Sequence, residues 1–95
     1  SRNTLLDAAH RAAAPHIYAT LRAAVAQSQE MAPARLKEWV TAEVERNPLL
    51  KVIYYQSVDA RTMQEVATWD DSPRIQGCIA VQAGDIRLID NICIR

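Results

Sequence analysis

The chain has 95 residues, with eleven Lys+Arg balanced by eleven Asp+Glu, 49% hydrophobic residues and 23% charged ones. That is one domain's worth of chain, enough to bury about 60–70% of its unfolded surface. The charge balance gives no whole-chain bias towards nucleic acid or an anionic membrane, and no apolar run approaches the roughly 18–20 residues of a membrane span.

At the N-terminus Ser1 stands where a Met would initiate, and no charged-then-apolar leader pattern follows it. The expectation is a piece of a longer, cytoplasmic chain with no secretion signal. Asp7 ahead of A-A-H-R-A-A-A suits a helix N-cap, its carboxylate taking an orphan amide proton one turn in. Pro15 removes a backbone donor and crowds the preceding turn, so a kink or break is expected there. Beyond it Ile17, Leu21 and the pair Ala24/Val25 form the buried stripe of a helix reaching about Ser28, flanked by Tyr18 and Arg22.

Residues 27–32 read as a connector, and Pro33 fits the first position of a second helix. Leu36, Val40 and Val44, with Trp39 beside them, make its buried face, and Asn47-Pro48 ends it. Residues 50–58, L-K-V-I-Y-Y-Q-S-V, are rich in β-branched and aromatic residues and read as a strand with poorly distinguished faces. Asp59 is positioned to cap a short helix over residues 61–65, and residues 67–74, containing D-D-S-P, read as a surface loop.

Residues 76–95 read as two strands joined by Gly84-Asp85, since Gly supplies the positive φ that a tight hairpin turn needs. Ile79, Val81 and Ala83 then share a face with Ile86, Leu88 and Ile92. Cys78, Ala80, Gln82, Arg87, Ile89, Asn91 and Cys93 form a mixed face, either solvated or meeting another domain. In this register Cys78 opposes Asn91 and Cys93 is a diagonal neighbour about 7–8 Å away, too far for a disulfide, so both cysteines are expected reduced. The whole predicts one α+β domain over 1–95: a two-layer sandwich, with a small three-stranded antiparallel sheet packed against two amphipathic helices plus a short helix.

The candidate chemistry is sparse. His10 and His16 are six apart, on different helix faces, and read as surface histidines with no shared metal. Asp70-Asp71 reads as a solvated acid pair, Tyr54-Tyr55 as one ring on each sheet face, and Trp39 and Trp69 as core or interface anchors. Phosphate-cradling glycine loops, nucleophile elbows and metal signatures are missing from the sequence, which is not that of a self-contained enzyme. Ser1-Arg2-Asn3 groups a hydroxyl, a guanidinium and an amide ahead of a helix. Such donors are what a polyphosphate requires, although three residues at a terminus read equally as a frayed polar end.

Several stretches together resemble the C-terminal domain of the pantothenate synthetase, or pantoate–β-alanine ligase, family. They are S-R-N at 1–3, Leu6 with a capping residue at 7, Arg11, A-P at 14–15 with Tyr18, K-V-x-Y at 51–54, V-D-A at 58–60 and G-D-I-R-L-I-D-N at 84–91. The resemblance implies a parent ATP- and Mg²⁺-dependent, AMP-forming ligase that joins pantoate to β-alanine through pantoyl adenylate. It implies that Ser1 and Arg2 bind ATP phosphates in a KMSKS-type loop whose first serine is absent here. It carries over no catalytic residue and no metal ligand. The parent's nucleotide-binding N-terminal domain is also absent, so the fragment is expected to act as that domain's lid, inactive alone, in a parent that is a candidate homodimer. The alternative reading is a stand-alone α+β interaction module without catalysis.

Overall fold

The computed structural model describes residues 7–95. Helix α1 (Ala8–Ala13) begins where Asp7 accepts the His10 N–H at 2.9 Å, as its sequence predicts. Pro15 then opens α2 (Pro15–Gln27). Ala14 between them keeps helical dihedrals, so the helices run on with one backbone bond removed by the proline rather than turning away. Helix α3 (Pro33–Val44) starts at its proline, where the missing N–H has no helical partner to lose.

Three antiparallel strands follow in the spatial order β1 (Leu50–Asp59), β2 (Ile75–Ala83), β3 (Ile86–Cys93). Gly84 turns the hairpin at φ +64°, and Ala83 pairs with Ile86, the register that the Gly-Asp turn dictates. Helices α2 and α3 cover the sheet: α3 packs over β1, α2 over β3, and α2 against α3, while α1 contacts α2. Leu21 and Ala24 from α2, Leu36, Val40 and Val44 from α3, and Ile75, Ile79 and Val81 from β2 are wholly shut off from solvent. Burial of these aliphatic groups, at about 25 cal/mol per Å², is what holds the two layers together.

Two local expectations are corrected. Residues 61–65 are not a helix. Asp59 does cap, its Oδ1 accepting the Arg61 and Thr62 amides at 2.7 and 2.9 Å, but Met63 then takes φ +62° and ends the turn. Asp59 N–H bonds Gln64 O, Val66 N–H bonds Ser57 O, and the chain returns along the free edge of β1. The short helix lies instead at Trp69–Asp71, one 3-10 turn inside the stretch read as plain loop, closed by reciprocal bonds between Thr68 and Asp71.

The second correction concerns β1. A bulge between Val52 and Tyr54 inserts Ile53 and reverses the alternation, so Leu50 and Val52 share the core side with Tyr55 and Ser57. The indistinct faces of the sequence are two well-defined half-strands joined out of phase.

The C-terminal end is tied across the layers. Arg95 donates to Ser28 Oγ and Ser28 O at 2.9 and 3.0 Å and lies 4.8 Å over the Trp69 ring, whose Nε1 donates to Met31 O at 2.6 Å. Trp69 is thus an anchor between the loop, the α2–α3 connector and the end of the sheet.

Candidate functional site

Ser1 and Arg2, for which the family resemblance implies ATP-phosphate binding, and Asn3 beside them lie outside the described residues. What the structure shows is where their segment joins the domain. At Asp7, Oδ1 accepts the His10 amide and also meets His10 Nδ1 at 2.8 Å. The backbone amide first, and then the imidazole, hold the Asp7 carboxyl below its ordinary value.

The His10 ring lies against the hairpin turn. A methyl group added to Gly84 would sit 3.3 Å from ring atoms Cε1 and Nε2, so bare backbone and positive φ are both needed there. The start of α1 is thereby held at the Gly84 end of the sheet, beside Lys51, Gln82 and Glu45, which line the same hollow. Glu45 is occupied structurally, accepting the Val52 amide at 2.9 Å.

The two histidines point apart, as their spacing requires, but neither is a solvated surface group. The His10 side chain is 18% exposed, and half-buried His16 bonds Glu43 O through Nε2 at 2.7 Å. Asp71 is a cap rather than an acid catalyst: the Thr68 amide, the Ala67 amide and the Thr68 hydroxyl lower its carboxyl, in that order. Asp59 is held at about 2 by the Ser72 hydroxyl, the Thr62 amide and the Arg61 amide. Ser72 Oγ also donates to Arg74 O at 2.8 Å, and a hydroxyl has one proton, so the amides are that carboxylate's constant donors.

Arg87 and Asn91 share the uncovered sheet face while Asp90 pairs with Ile79 on the core side, so the three do not converge. Among the described residues no three His, Cys, Asp or Glu side chains gather as a metal site, and no helix is long and apolar enough to cross a membrane. Both cysteines are free. Burial raises the Cys78 thiol above its ordinary value, away from thiolate chemistry.

The feature that sequence reading left undivided is the uncovered face itself. The strand register sorts it into rows: Lys51, Gln82 and Arg87 nearest the turn, then Tyr54, Ala80 and Ile89, then Gln56, Cys78 and Asn91. Placing Tyr54 in the apolar row depends on the bulge at Ile53, which no residue pattern announces.

A family model described as pantoate-beta-alanine ligase matches residues 1–93. The pantothenate synthetase of Porphyromonas gingivalis is 40% identical over 96 residues, covering 97% of this chain and 33% of that protein. That of Bacteroides thetaiotaomicron is 37% identical over 92 residues, with the same two shares. The crystal structure of pantothenate synthetase from Thermus thermophilus shares the fold, with a TM-score of 0.85 at 24% identity over 98% of this chain and 33% of that one. The chain thus spans about a third of the length of the curated relatives it matches.

Proposed function

The chain belongs to the pantoate-beta-alanine ligase family, and from that premise we propose that it is the C-terminal lid domain of a cytoplasmic, ATP-dependent ligase that makes pantothenate. In that enzyme the carboxylate of pantoate attacks the α-phosphorus of ATP, forming pantoyl adenylate and releasing pyrophosphate. The amine of β-alanine then displaces AMP and forms the amide. The partners of this domain are those substrates and its own N-terminal domain, in a homodimeric parent.

The work of this chain is to close over the triphosphate. The Arg2 guanidinium and the Ser1 hydroxyl donate to phosphate oxygens as charge moves onto the departing pyrophosphate, where prepositioned donors have their greatest effect. A closed lid also excludes water from an acyl-adenylate that water would hydrolyse. A Mg²⁺ ion, which the family implies, would supply charge neutralisation for ATP; no gathering of carboxylates among the described residues fits it, so no residue of this chain is assigned to it.

The observation that carries the reading is the family match running from the S-R-N segment through the G-D-I-R-L-I-D-N hairpin, in a chain a third as long as its relatives. The test is reconstitution. Supplied with ATP, Mg²⁺, pantoate and β-alanine, the 95 residues alone form no pantothenate, and the same residues joined behind a family nucleotide-binding domain do. Pantothenate formed by the isolated chain would overturn the assignment.

A further inference from the structure

Helix α1 is too short to hold its own direction. It has six residues, against the roughly 12–15 at which an isolated helix becomes even marginal, and Pro15 removes one of the bonds that would tie it to α2. Its far end is anchored by buried Ala13. Nearer the start, Asp7, Ala8, Ala9, Arg11 and Ala12 are all exposed, so among residues 7–12 only His10 is partly withdrawn from solvent.

The His10 ring is held on two sides. An ionised carboxylate only accepts hydrogen bonds, so Nδ1 carries the ring proton and donates it to Asp7 Oδ1 at 2.8 Å. The opposite edge, Cε1 and Nε2, faces the Gly84 turn, where an added Cβ would stand 3.3 Å from both atoms. That turn is itself fixed, since Ala83 is buried and paired with Ile86. One side chain thus connects the N-cap of α1 to a rigid landmark of the sheet.

We propose, building on the lid reading above, that His10 is a positioning residue for ATP activation: it fixes where the Ser1–Arg2 segment leaves the domain, and so where the Arg2 guanidinium can reach. Arg2 precedes Asp7 by five residues, a span of at most about 16–18 Å when fully extended. Moving the Asp7 anchor therefore moves the whole volume open to that guanidinium. Donors to a transition state act through their placement, and a displacement of about 1 Å costs on the order of 10²-fold in rate. His10 itself touches neither phosphate nor substrate; its effect passes through Arg2. Because the first turn of α1 buries so little, losing the ring leaves the core around Leu21, Leu36 and Ile79 in place.

The experiment is a double-mutant cycle in the full-length ligase, read as pantoate-dependent exchange of pyrophosphate into ATP. His10→Ala is expected to slow exchange at least tenfold when Arg2 is present and less than twofold in an Arg2→Ala background, where no guanidinium is left to misplace. His10→Gln, whose amide reaches as far as the Cε1–Nε2 edge of the imidazole, is expected within threefold of wild type. That recovery separates a lost contact from an unfolded chain. His16→Ala removes the half-buried imidazole that bonds Glu43 O and is expected within twofold of wild type. The proposal is overturned if His10→Ala slows exchange less than tenfold, or if a twofold or greater slowing persists with Arg2 already removed. It is equally overturned if His10→Gln does no better than His10→Ala, or if His16→Ala slows exchange as much. Arg2→Ala alone separates the two levels: exchange at the wild-type rate refutes the lid reading itself, whereas an impaired Arg2→Ala with additive loss from His10→Ala refutes only the positioning role.

Discussion

Gly77→Ala is expected to destabilise the domain by an amount that the structure allows to be worked out. Gly77 is buried near the start of β2, paired with Ser57, and an added Cβ would come 2.6 Å from Tyr55 Oη, 3.3 Å from Tyr55 Cε1 and 3.2 Å from Ile94 Cδ1. Tyr55 is 2% exposed and its hydroxyl meets Ser57 Oγ at 3.3 Å, so the ring has little room to withdraw. Overpacking a core by one methyl costs about 1–3 kcal/mol, and displacing the Tyr55–Ser57 bond adds about 1. The lower entropy of the unfolded alanine chain offsets about 0.4–1 kcal/mol. The net loss is about 2 kcal/mol, read as a fall of about 10 °C in Tm, or of roughly 2 M in the urea midpoint if m is near 1 kcal/mol/M.

A double-mutant cycle isolates the cause. Tyr55→Phe alone forfeits about 1 kcal/mol of hydrogen bonding, but it removes the atom with which the new methyl collides. The double variant Tyr55→Phe/Gly77→Ala should therefore be no less stable than Gly77→Ala, a coupling of at least about 1 kcal/mol. Simple additivity of the two losses, or a Gly77→Ala protein within about 0.5 kcal/mol of wild type, would refute the argument.

Three further outcomes are expected. Asp59, Asp7 and Asp71 all have lowered carboxyls, so each stabilises the fold at pH values above its unfolded pKa of about 3.9, and that stability is lost as pH falls through the folded value, which is about 2 for Asp59. Urea midpoints should fall between about pH 5 and pH 2, less steeply in Asp59→Asn; a wild-type midpoint that is flat or rises over that range contradicts the assignment. Arg95→Lys should cost about 2 kcal/mol by chemical denaturation, because an ammonium cannot make the forked contact with Ser28 and stacks poorly on Trp69; an unchanged midpoint refutes the clamp. Met63→Gly should gain about 1 kcal/mol, since Met63 holds φ +62° while 60% exposed and has little packing to lose; a loss of stability on the same measurement counts against local strain there.

The parts of the fold that were legible in the sequence are those set by local chemistry. Asp7 fixes a helix start by accepting one backbone donor and Pro15 and Pro33 by lacking one, and Gly84-Asp85 fixes the hairpin register that puts Cys78 opposite Asn91. The errors fall where distant partners decide. After Asp59 a helical turn does start, but edge bonding from Gln64 and Val66 to β1 outweighs its continuation. The bulge at Ile53 likewise answers to the strand across from it, since Tyr55 and Leu50 both have core to fill. The proposed phosphate binding by Ser1 and Arg2 has no counterpart in periodicity at all. It was suggested by the donor chemistry of three residues and by resemblance, and the described structure adds only the anchoring of Asp7 and His10 just downstream.

The most direct test of the central claim is pantoate-dependent exchange of pyrophosphate into ATP by the full-length ligase carrying Arg2→Ala. Loss of one transition-state donor is worth about 2.7–4 kcal/mol, so exchange should fall by about 10²–10³-fold with the protein folded. Exchange at the wild-type rate would contradict the assignment of this domain to ATP activation.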